Sequence, residues 1–124
     1  MRILLISVFG VLGTLARYGL QGLVQEHSGA GFPAGTMAVN LSGCFFLGLI
    51  GQFALNHLSF PPDWRIAIAV GFFGAFTTFS TFSWEAGHMM LDGEWWKAAA
   101  YVGISLFLGV FLLLAGLKLA DRIS

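Results

Sequence analysis

Charge is what this sequence has least of. Asp, Glu, Lys and Arg make up 10% of its 124 residues, against roughly 25% in soluble domains, so the chain cannot coat a globule with polar surface. Basic and acidic residues balance to a net charge of zero at neutral pH. No basic patch is available to hold phosphates, which excludes a nucleic-acid binder. Cys44 is the only cysteine and lies in an apolar run, so a disulfide framework and a cysteine metal site are both excluded. His27, His57 and His88 are scattered near helix ends without metal-ligand spacing. Glu26, Asp63, Asp92, Glu94 and Asp121 fall in predicted loops and tails, and no paired base makes a nucleophile of any hydroxyl. The pattern is not that of an enzyme.

What the chain does have is apolar length. It is 57% hydrophobic with a mean hydropathy of +0.83, the composition of an integral membrane protein. A helix needs about 20 residues to cross the hydrocarbon core, and four segments qualify: roughly Ile3 to Val24, Ala34 to Asn56, Trp64 to Met89 and Trp95 to Ala120. The N-terminal run could open a signal peptide, but it continues past Gly13 without a small-x-small cleavage pattern before Arg17, and it is read as the first span. The connections hold turn chemistry: Ser28-Gly29-Ala30-Gly31, Pro61-Pro62 and Asp92-Gly93. Loops this short make neighbouring helices antiparallel, so residues 1–124 are expected to form one all-α transmembrane domain. Trp64, Trp95 and Trp96 stand at helix starts, where indoles favour the membrane interface; Trp84 lies deeper. Arg2, Arg65, Lys118 and Arg122 share one side against Lys97 and Arg17, which leans towards a cytoplasmic N-terminus.

Small residues recur inside the spans: Gly10 and Gly13 in the first, Gly43, Gly48 and Gly51 in the second, Ser105 and Gly109 in the fourth. Such spacing lets helix backbones approach closely in lipid. Four helices are too few to enclose a pathway, so an oligomer is expected. The third span holds the most unusual stretch, Gly71-Phe72-Phe73-Gly74-Ala75-Phe76-Thr77-Thr78-Phe79-Ser80-Thr81-Phe82-Ser83. It is apolar enough for lipid, yet its glycines weaken a helix and its hydroxyls compete for helix backbone groups. A break from Gly74 to Thr77 is predicted. Carbonyls freed there need partners that lipid does not supply, and broken helices in transport proteins often give them to a cation; Na⁺ and water are the two candidates.

Polar groups within spans are costly and tend to face the protein interior. Arg17 either snorkels to the interface or sets a fixed positive charge at an anion entrance. Asn40 either joins helices or offers its amide N–H to a passing anion; Thr36 and Gly43 share its face. Tyr101, Ser105 and Gly109 form a stripe at i, i+4, i+8 on the fourth helix, although Ser105 alone could back-bond to the Tyr101 carbonyl. Thr77, Thr81 and Glu85 form a matching stripe on the third. Phe79 and Phe82 lie three apart; they are packing residues or, through their positive ring edges, a lining for a small anion.

These residues resemble the Fluc/CrcB family of bacterial fluoride channels. The matching motifs are Gly10-x-x-Gly13-x-x-x-Arg17, Pro33-x-Gly35-Thr36-x-x-Val39-Asn40-x-x-Gly43, the Gly71–Ser83 stretch, and Tyr101-x-x-x-Ser105. The resemblance implies an antiparallel, dual-topology homodimer with two fluoride pathways, which replaces the single orientation read from the charges. It implies passive fluoride export across the bacterial inner membrane, lowering cytoplasmic fluoride toxicity. It also implies a structural, untransported Na⁺ at the dimer interface, held by backbone carbonyls that fall on Gly74 and Thr77. The fluoride pathway falls on Asn40, Phe79, Phe82, Ser80, Thr81, Tyr101 and Ser105, with Arg17 and Glu85 as entrance or structural residues. Ala75 stands where many members carry a second glycine, and Gly109 where some continue the hydroxyl track.

The residue types make physical sense for fluoride. A small, strongly hydrated anion needs donors to replace its water, while fixed cations along the whole pore would hold it too tightly to conduct. The rival reading is a small dual-topology multidrug or cation exporter, which uses an intramembrane carboxylate to exchange protons for cationic drugs. The first span carries Arg17 and no acid, which tells against it.

Overall fold

The structure, a computed structural model, describes Met1–Ser124 and is wholly helical. Four helical segments are long and apolar enough to cross a bilayer: Arg2–Ser28, Ala34–Asn56, Pro62–Leu91 and Trp95–Ile123. Only 19 of the 124 residues are buried. Large apolar side chains such as Leu4, Val11, Leu15, Phe107 and Phe111 project outward, an arrangement that suits lipid and would aggregate in water.

The first helix runs past Val24 because Gln25 carries the chain through the turn. The Gln25 amide donates to the carbonyls of Gly29 (2.6 Å) and Phe32 (2.9 Å) and accepts from the Gly35 N–H (3.1 Å). One side chain thus satisfies groups at the end of the first helix and the start of the second. Gly29 turns the corner at φ 81°, a conformation that favours glycine. Pro62 opens the third span as a proline suited to the first helical turn. Next to it Asp63 pairs with Arg2 at 2.7 Å, tying the starts of the first and third spans together.

Close backbone crossings set the packing. A Cβ on Gly48 would stand 2.3 Å from the Leu113 carbonyl oxygen, and one on Gly116 would stand 2.3 Å from that of Phe45. The second and fourth helices therefore lie in backbone contact, as small-residue seams permit in lipid. The first helix meets the third in the same way, at Gly13 against the Phe72 carbonyl. There the third span has widened into a π-helical segment, Ala67–Phe73, a form common near functional sites.

The third span is interrupted, but later than the glycines suggest. Gly74–Phe76 is still a helical turn, and the chain leaves the helix at Thr77 (φ −93°, ψ 158°) and Thr78 (φ −149°, ψ 117°). Glycine alone weakens a helix by only about 1 kcal/mol. The N–H and hydroxyl of Thr77 both donate to the Phe73 carbonyl, at 3.1 and 2.9 Å, and keep that last turn closed. The helix resumes as Phe79–Leu91 with Thr78 as its N-cap, its hydroxyl oxygen accepting from the Thr81 N–H. Two buried clusters flank the interruption: Val39, Phe73 and Phe76 before it, and Phe82, Ala86, Met89, Ala98 and Tyr101 after it.

Candidate functional site

The interruption is held by side chains of two other helices. Asn40, on the second helix, accepts from the Thr78 N–H through Oδ1 (2.7 Å) and donates from Nδ2 to the Thr78 carbonyl (3.0 Å). It pairs with the extended residue as a neighbouring β-strand would. Arg17, on the first helix, donates from Nε to the Ala75 carbonyl at 3.0 Å. That carbonyl would have accepted from residue 79 in an unbroken helix, so Arg17 caps the end of the first half and complements its dipole. The carbonyls of Gly74 and Thr77 accept no hydrogen bond from backbone or side chain. Gly43 makes room for the break, because a Cβ there would stand 2.3 Å from Thr77 Cγ2.

Beyond the break, the two phenylalanines part company. Phe82 is 7% exposed and packs against Tyr101, ring centroids 5.1 Å apart, while Phe79 is 73% exposed and touches Phe82 at 5.7 Å. Tyr101 is fully buried and receives Phe32 edge-on at 5.4 Å. The Tyr101 hydroxyl and the Ser105 hydroxyl are both buried without a hydrogen-bond partner, so Ser105 does not back-bond to Tyr101. Thr81 accepts from the Thr78 hydroxyl at 3.0 Å. Ser80 and Ser83 face outward at this depth.

Arg17 also lines an open cavity of about 680 Å³ bounded by Tyr18, Gln21, Thr36, Trp84, Glu85 and His88 among others. Within it a chain of hydrogen bonds runs from Gln21 Nε2 to Thr36 Oγ1 (3.1 Å) and from the Thr36 hydroxyl to Glu85 (2.5 Å). Trp84, whose depth is unusual for an indole, lies at this wall with its ring 4.4 Å from that of His88. Gln21 and Gln25 were not singled out in the sequence, although with Arg17 they recur at i, i+4, i+8 and mark the polar face of the first helix.

The arrangement offers uncharged donors, namely two unpartnered hydroxyls, a second N–H on Asn40, and aromatic edges, while the neighbouring polar cavity is lined by Arg17 and by the carboxylate Glu85. No group of three or more His, Cys, Asp or Glu side chains is placed to hold a metal ion. Fold and site together define a polytopic, all-helical membrane protein with a helix broken at mid-span beside a polar cavity.

Comparison with known proteins narrows that class. The sequence profile of the CrcB-like, camphor-resistance (CrcB) family matches residues 4–117, and the chain belongs to this family. It is 47% identical over 116 residues to a fluoride-specific ion channel FluC of Nitratidesulfovibrio vulgaris, covering 94% of each chain. It is 41% identical over 123 residues to the FluC of Acidobacterium capsulatum, covering 99% of this chain and 98% of that one. With the FluC of Solibacter usitatus it shares 43% identity over 122 residues, 98% of this chain and all of the other.

Proposed function

We propose that this chain is a fluoride-specific ion channel. The observation that carries the reading is the pair of buried, unpartnered hydroxyls of Tyr101, which packs on Phe82, and of Ser105, one turn further along the same helix, in a chain that aligns almost end to end with relatives named as such channels. An unmade hydrogen bond at a buried hydroxyl costs about 1–3 kcal/mol, and an anion passing along this wall recovers it. Fluoride would shed water against these hydroxyls, the free Asn40 N–H and the edges of Phe79 and Phe82. Arg17 attracts the anion to the cavity, but its Nε is spent on Ala75, which keeps it from becoming a trap. Export is passive and driven by the membrane potential, and the host membrane is the bacterial inner membrane. A drug or cation exporter is not favoured: the intramembrane carboxylate Glu85 is held by Thr36.

The same reading includes an antiparallel, dual-topology homodimer. Outward apolar residues say little in lipid, but outward polar groups at mid-bilayer need a partner. Ser80, Ser83 and Gly74 are exposed there, and Phe79 has most of its surface uncovered. A Na⁺ at the dimer interface fits the oxygens present. The Gly74 and Thr77 carbonyls are unpaired and uncharged, the kind of donor that unwound membrane helices give to Na⁺, and two copies would supply both sets. When bound, the ion would neutralise the clustered carbonyl dipoles and join the two chains.

Purified protein in liposomes, read with a fluoride electrode, tests the function. Fluoride release above empty vesicles is expected, and none with intact dimers refutes it. Exchange of Na⁺ for a large organic cation should weaken the dimer or its flux; indifference assigns the carbonyls to water or another ion.

A further inference from the structure

A second cavity lies away from the broken helix. It holds about 280 Å³ between the second, third and fourth spans and is walled by Leu47, Ile50, Leu55, Ile68, Leu113 and Leu117. Arg65 also lines it, one turn past the prolines that open the third span and therefore near the membrane surface. Arg65 Nη2 donates to the His57 carbonyl at 3.0 Å, while Nε is buried and donates to nothing. The chain has two ion pairs, Arg2–Asp63 and Lys97–Glu94, so no carboxylate lies within 4.0 Å of Arg65. Asp121, at the same end, is engaged by the amides of Gln52 and Asn56.

We propose that this groove binds an anionic phospholipid of the bilayer, with its phosphate on Arg65 and one acyl chain along the leucine and isoleucine walls. With Nη2 on the His57 carbonyl and Nε buried, the guanidinium has Nη1 left to give a phosphate a charge-assisted bond, and a partly buried guanidinium without an anion is costly. Sites that enclose whole small ligands measure roughly 300–1,000 Å³, so about 280 Å³ suits a chain segment whose remainder stays in the membrane. A soluble anion would leave the apolar walls uncovered. An apolar helix of a second copy would leave the guanidinium without an anion. Only an anionic amphiphile satisfies both ends.

Native mass spectrometry of the intact protein, mixed with phosphatidylglycerol or with phosphatidylcholine of the same chains, tests this. Retention of phosphatidylglycerol over phosphatidylcholine is expected, and Arg65→Gln should weaken it at least about tenfold, as for loss of a charge-assisted bond. Gly51→Leu tests the walls with Arg65 intact. A Cβ at Gly51 meets only Leu47 Cδ1, at 3.6 Å, so the fold tolerates the first carbon while the rest of the leucine fills the groove. It too should reduce retention, and it carries the test if Arg65→Gln does not fold. Wild-type retention in either folded variant, or equal binding of phosphatidylcholine, overturns the proposal. So does complete displacement by inorganic phosphate, which assigns a free-anion site, and so does a Gly51→Leu protein that loses its oligomer but keeps its lipid, which assigns the groove to a second copy.

Discussion

Replacing Asn40 with alanine removes both bonds that hold Thr78 extended, the 2.7 Å bond from its N–H and the 3.0 Å bond to its carbonyl. Lipid offers no substitute, and each buried polar group left unmade costs about 1–3 kcal/mol. The broken geometry should therefore lose about 2–6 kcal/mol relative to alternatives in which residues 77 and 78 rejoin the helix. Since each 1.4 kcal/mol is about tenfold in population, even the low end shifts the balance by more than tenfold. Fluoride flux from liposomes should fall at least about tenfold, and thermal unfolding in detergent should begin several degrees earlier. The assay pairs an electrode trace with size-exclusion chromatography of the same sample, so that lost protein is not counted as lost conduction. An Asn40→Ala protein with wild-type melting and wild-type flux would refute the argument that this amide builds the site. Wild-type melting with abolished flux would instead make Asn40 a donor to the anion and not a brace.

Other substitutions probe separate contacts. Gly13→Ala places a carbon 2.2 Å from the Phe72 carbonyl oxygen, whereas Gly22 has nothing within 4 Å; the first should abolish monodisperse protein and Gly22→Ala should leave it intact, by gel filtration. Arg17→Gln removes the cap on Ala75 and should cost about 1.5–3 kcal/mol of stability, the usual value for a bond to a charged group, together with a slower fluoride efflux that more salt does not restore. Phe82→Ala opens a cavity in a packed cluster and should destabilise by about 3–5 kcal/mol. Phe79, mostly uncovered in one chain, should tolerate alanine in the isolated protomer and lose flux only in the assembled protein. Phe79→Ile and Phe82→Ile should both slow efflux in assembled protein, and full flux in both sinks the role of the ring edges.

Most of the architecture was legible because bilayer physics writes it in runs of apolar residues and short turns; the second span, Ala34–Asn56, needs nothing more. The break was legible as an event but not as a position. Gly74 drew attention through composition, while the residues that leave the helix are Thr77 and Thr78, so the expected break from Gly74 to Thr77 meets the observed one only at Thr77, and Thr78 is held by Asn40, thirty-eight positions earlier. Helix breaks in lipid are decided by where a replacement hydrogen bond can come from, and that partner is remote in sequence. Arg17 illustrates the same limit. Its readings as an interface, entrance or structural residue left open which group it holds; its Nε ends on a carbonyl in the third span, and it also lines the polar cavity. Local pattern shows which groups are expensive in a membrane. Only the fold shows what relieves each of them, and for Tyr101 and Ser105 nothing within one chain does.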